Sequence, residues 1–132
     1  MSRHELREQI FKLLFRVEFN EPHEMEEQKN LFLEDEECRA DEKDAAYIAD
    51  KYEQIAAKIS ELDGMLNEKA DAWSTVRMGK VELTILRLAL YELKFDEDIP
   101  TGVAIDEAVE LAKKFGQDGS GAFVNGILAK FA

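Results

Sequence analysis

The sequence predicts an all-α fold of six or seven helices. Three observations lead there. Apolar residues recur at intervals of three and four along most of the chain, which is helical spacing. No segment shows the sustained apolar–polar alternation of a strand. Only 2 prolines interrupt the 132 residues, and the connections between periodic segments are short. Helices of this kind must bury their apolar stripes against one another. With 45% hydrophobic residues there is material for one sizeable core, so a single domain over 1–132 is expected.

The elements follow in order. Residues 3–18 carry Leu6, Ile10, Leu13, Leu14 and Val17 on one helical face, with Ser2 as a natural N-cap. Asn20-Glu21-Pro22 stops that helix and starts a weaker one over 22–34, around Met25, Leu31 and Phe32. Residues 34–44 are mostly charged and read as a solvated connection. Ala45, Ile48, Tyr52, Ile55, Ile59, Leu62 and Leu66 then predict one long helix of about six turns, closed by Gly64. A short helix over 65–72 leads to Trp73, and Ser74 or Thr75 can cap a helix over 75–94. That helix contains VELTILRLALYEL at 81–93, apolar all round its axis, and is expected to be central and buried. Arg87 inside it requires a carboxylate partner, because an unpaired buried charge is very costly. Asp96 to Pro100 form a loop. Thr101 can cap a helix over 102–115 bearing Ile105, Ala108, Val109, Ala112 and Phe115 and ended by Gly116. Ser120 can cap a last helix bearing Phe123, Val124, Ile127, Leu128 and Phe131.

Charge narrows the function. The net charge is −12, which opposes nonspecific attraction to nucleic acid. The charge is uneven: residues 1–20 sum to +1, residues 21–72 to −11 and residues 73–132 to −2. A site for an anionic polymer therefore belongs at the two ends. The single cysteine, Cys38, cannot form an internal disulfide and reads as a surface or half-buried thiol in a reducing compartment. No apolar run approaches a membrane span, and Arg3, His4, Glu5, Arg7 and Glu8 interrupt any signal-peptide segment, so a cytoplasmic protein is expected.

Catalytic patterns are missing. His4 and His23 are the only histidines and have no companions at metal-ligand spacing, so no metal or other cofactor is expected. Gly116, Gly119, Gly121 and Gly126 fit neither a P-loop nor a dinucleotide fingerprint. Asp106-Glu107 reads as solvated helix surface. A binding protein is favoured over an enzyme.

Three segments resemble the NusB family. SRHELRE at 2–8 is similar to its arginine-rich opening, MGKVELTILRLALYEL at 78–93 to its central helix, and VAIDEAVELAKKFGQDGSGAFVNGILAKF at 103–131 to its C-terminal signature. The match is collinear over essentially the whole chain; residues 20–74 agree in helical layout more than in residues. The resemblance implies two three-helix bundles at an angle. It also implies a transcription antitermination factor, binding boxA RNA together with the ribosomal protein NusE and supporting transcription of ribosomal RNA operons. RNA polymerase and the other Nus factors would be indirect partners.

Arg3 and Arg7 stand four apart on one helical side and can offer forked donors to phosphates. The first helix and the last, opened by Ser120, could each present a positive dipole end to one RNA strand. Phe123 matches the phenylalanine of the family's F-V-N-G and is either a base-stacking ring or a core aromatic. The RNA residues implied are thus Arg3, His4, Arg7, Ser120 and Phe123. Phe15 and Glu82 are implied at the protein partner, or are plain core and solvated charge. The acidic segment 21–72 suits a basic ribosomal protein. His4 and Phe15 depart from the family's usual arginine and tyrosine, and Gly119 and Ala122 from its aspartate and lysine. A site this short of cations leaves open a second class, a protein-interaction module with little RNA affinity of its own. The fold also occurs as an appendage of RNA cytosine methyltransferases, but this chain lacks the additional domain.

Overall fold

The structure is a computed structural model and describes residues 1–70 and 73–132. Among them are seven α-helices and no strand: α1 (Arg3–Phe15), α2 (Met25–Glu34), α3 (Glu42–Ala56), α4 (Ile59–Lys69), α5 (Lys80–Phe95), α6 (Thr101–Phe115) and α7 (Ser120–Ala129). The chain divides into two compact units, Met1–Ala56 and Ala57–Ala132.

The first unit holds α1 to α3. Ser2 caps α1 as expected. Its hydroxyl accepts from the Glu5 N–H at 3.1 Å, and the Glu5 carboxylate accepts from the Ser2 N–H at 3.2 Å, a closed capping box. The helix tightens into a 3-10 turn over Arg16–Phe19, and Pro22 opens another before α2. α1 packs on α3 and touches α2. Leu13, Leu14, Ile48 and Ile55 are fully buried, and Met25 and Phe32 are the buried residues of α2. The connection over 35–41 is largely exposed, but Cys38 is only 4% exposed and is not the surface or half-buried thiol expected. Desolvation pushes its thiol pKa up.

The second unit holds α4 to α7. The single six-turn helix expected over 45–66 is in fact α3 and α4, interrupted at Ala57 and Lys58. Lys58 leaves helical geometry at φ −114°, and the apolar spacing resumes with Ile59, so periodicity alone did not show the break. Gly64 lies inside α4 and does not end it. Of the short helix expected over 65–72, residues 65–69 belong to α4 and residues 71–72 lie outside the described residues. Ser74 precedes a 3-10 turn over Thr75–Arg77, and Gly79 stands at the start of α5. Pro100, not Thr101, precedes α6.

α5 is the centre of its unit, with every residue from Leu83 to Glu92 buried, and it packs against α4, α6 and α7. The partner required for Arg87 is Asp63 of α4, met bidentately by Nε at 2.8 Å and Nη2 at 2.7 Å. Leu62, Leu66, Leu86, Leu90, Val124 and Leu128 are fully buried and belong to the core of this unit.

Candidate functional site

The residues singled out in sequence fall in both units, and each group is described within its own. In the first unit, the capping box fixes the opening turn of α1. Arg3 and His4 are exposed there. The Glu5 carboxyl is held below its ordinary range, first by the Ser2 backbone N–H and then by the Ser2 hydroxyl. The Met1 ammonium is bound to Asp44 of α3 at 2.9 Å and its pKa is raised, chiefly by that hydrogen bond. Arg7 differs from Arg3: one turn further in, it is only 7% exposed. It is therefore not a solvated flank, and little of its surface faces a ligand. Further along, Phe11, Phe15 and Phe19 form an aromatic ladder at helical spacing. Phe11 and Phe15 stack at 6.1 Å, and Phe15 meets Phe19 edge-on at 5.0 Å. Phe15 is half-buried, whereas Phe19 is 61% exposed. Phe19 is a surface-directed aromatic that sequence reasoning missed.

In the second unit, Ser120 and Glu82, assigned in sequence to two different partners, meet each other. The Ser120 hydroxyl donates to Glu82 Oε1 at 2.6 Å and accepts from the Gln117 N–H at 2.9 Å. Ser120 is the first residue of α7 and 5% exposed. The N-cap position belongs to Gly119, whose φ of 87° favours glycine. Gly116 is equally constrained, because a Cβ there would lie 2.6 Å from the Ser120 hydroxyl. Two glycines and a serine thus set the direction in which α7 starts, and Phe123 stands at its first turn.

Phe123 is half-buried and meets Trp73 edge-to-face, with ring centroids 5.6 Å apart and an angle of 83° between planes. Trp73 is 48% exposed, and the Arg77 guanidinium lies 5.7 Å over its ring. Neither Trp73 nor Arg77 was singled out in sequence. The available signal was a tryptophan and an arginine four apart, next to the central helix. A shallow groove of about 530 Å³ between α6 and α7 is lined by Asp106, Glu110, Lys113 and Asn125 among others. Its charges are of both signs, which suits no phosphate. Among the described residues, no group of three or more His, Cys, Asp or Glu is placed to hold a metal, and no helix is long and apolar enough to cross a membrane.

Comparison with known proteins gives concordant findings. The NusB family profile matches residues 4–132. The transcription antitermination protein NusB of Agathobacter rectalis is 54% identical over 132 residues, covering 100% of both chains. That of Lachnoclostridium phytofermentans is 47% identical over 130 residues, covering 98% of each. Among solved structures, T. maritima NusB superposes with a TM-score of 0.89 at 38% identity, covering 100% of this chain and 91% of that one. A structure of the antitermination factors NusB and NusE in complex with double-stranded RNA gives a TM-score of 0.81 at 27% identity, covering 98% and 94%.

Proposed function

This chain belongs to the NusB family, and from that premise we propose that residues 1–132 act as one RNA-binding helical domain that binds boxA RNA together with the ribosomal protein NusE. In this role it suppresses transcription termination, notably in ribosomal RNA operons, and reaches RNA polymerase and the other Nus factors indirectly. It works in the cytoplasm and catalyses nothing. The observation that carries the reading is the end-to-end match to antitermination proteins at 54% identity.

Local chemistry supports particular contacts. In the first unit, Arg3 and His4 stand exposed where the dipole and first-turn amides of α1 favour an anion. Arg7 adds a charge from just beneath. In the second unit, Phe123 offers a ring at the first turn of α7. Ser120 acts mainly by holding that turn on Glu82, with Glu82 and Phe15 towards the protein partner.

The second reading, a protein-interaction module with little RNA affinity, draws support from the burial of Arg7 and from the −12 charge. Titrating boxA-like RNA with the purified chain, alone and with its ribosomal partner, separates the two. Weak binding alone and tight binding with the partner is expected. No binding even with the partner would leave only the interaction module. Arg3→Glu is expected to weaken the ternary complex roughly tenfold. Helicity by circular dichroism should not change, because Arg3 is exposed.

A further inference from the structure

Resting on the RNA-binding reading, we propose that the RNA surface of the second unit extends from Phe123 onto Trp73, the two rings forming a notch for one unpaired base beside the Arg77 guanidinium. Two rings meeting at 83° make an inside corner. A planar base can stack on one wall and present its edge to the other. Such stacking is tolerant of sequence because every base has a π-face.

The corner is held in place. The Trp73 N–H donates to the Ala70 carbonyl at 3.0 Å. Two residues on, the Thr75 N–H is fixed by Asn67 Oδ1 at 2.8 Å, while Thr75 and Met78 are buried. A tryptophan whose backbone is held on both sides, whose ring rests against Phe123 and which is still 48% exposed presents a large apolar surface to solvent. Val76 beside it is 92% exposed.

Charge favours RNA over a basic protein at this spot. Arg77 lies over the Trp73 ring, where a guanidinium can both stack and reach a phosphate. Phe123 and Lys130 are seven residues apart, about two turns or ~10 Å along one face of α7. At the Lys130 end, Lys69 and Lys130 each donate to the other's backbone carbonyl, at 3.2 and 3.0 Å. Arg77, Lys69 and Lys130 thus bring three cations within about two helical turns of the notch, on a chain that is anionic as a whole.

Trp73 is the only tryptophan in the chain, so its emission reports on the notch directly. The test uses the full chain with a tryptophan-free form of the ribosomal partner. Anisotropy of labelled boxA-like RNA measures binding, and tryptophan emission is followed with unlabelled RNA. The expected result is quenching that saturates with binding, affinity reduced roughly tenfold in Trp73→Ala, and affinity within about threefold of the parent in Trp73→Phe. If RNA binds but emission does not move and Trp73→Ala binds like the parent, the notch is overturned while the RNA-binding reading survives. If no RNA binds, both fall. If emission changes on adding the partner alone and RNA adds nothing, the corner docks protein and the proposal is overturned. Should Trp73→Ala lose its fold, Trp73→Phe and the quenching of the parent decide.

Discussion

Arg87 shows how one residue can be legible while its partner is not. An arginine within an apolar helix demands a carboxylate, and the sequence states that demand. That the carboxylate is Asp63 of α4 depended on how two helices pack, which local spacing does not encode. The guanidinium side chain is 7% exposed and the carboxylate 22%. Asp63→Ala is therefore expected to destabilise the protein by about 3 kcal/mol, read as a lowered urea midpoint, because it strands a buried charge. Ser120 taught the converse: a serine after a glycine reads as a cap, but the left-handed Gly119 takes that place and frees the hydroxyl for Glu82. Cys38 carries a pH prediction. Desolvation raises its folded-state pKa above the ordinary 9.0, so its contribution to stability is full below that value and is lost as pH rises through the folded value. Tyr52, raised by burial above its ordinary 10.0, acts with the same sign. The urea midpoint should fall as pH passes about 9, and fall less in Cys38→Ala.

The helical elements were largely readable because amphipathic spacing marks buried faces. α1 behind its Ser2 cap, the buried stretch of α5 from Leu83 to Glu92, and α6 ending at Gly116 were readable from that spacing together with the capping and stop residues. The α3–α4 break was not, since the apolar stripe from Ala45 to Leu66 keeps its rhythm across Ala57 and Lys58. Gly64 then looked like a terminator only because the helix was assumed to have begun at Ala45. It lies instead in mid-helix, where a Cβ would meet nothing within 4 Å. Gly64→Ala should accordingly stabilise the protein by about 0.5–1 kcal/mol, measured as a raised urea midpoint. A decrease would mean that α4 needs glycine's freedom there. The aromatic corner was unreadable for a related reason: Trp73 and Phe123 belong to segments far apart in sequence, and only packing makes them neighbours.

Across the whole molecule, charge decides more than any contact. A surplus of −12 repels phosphates at long range, so binding must rely on a few local cations and on the partner's. If the chain alone neutralises about three phosphates of single-stranded RNA, log K should fall with log salt at a slope of about −2. The ternary complex should show a steeper slope as the ribosomal protein adds its cations. Titrations at several salt concentrations measure both, and identical slopes would place all the phosphate contacts on this chain. The uneven charge along the sequence announced this much. Which arginines reach solvent was beyond it, because Arg3 and Arg7 share a helical side yet differ in burial.

The crowding at the start of α7 also bears on how such a chain can evolve. A side chain at 116 would strike the Ser120 hydroxyl, and that hydroxyl holds Glu82 on a helix encoded much earlier in the gene. Codons 116 and 120, four apart, are thereby yoked to a third far upstream: a side chain gained at 116 needs a change at 120, and losing the hydroxyl at 120 takes that donor from Glu82.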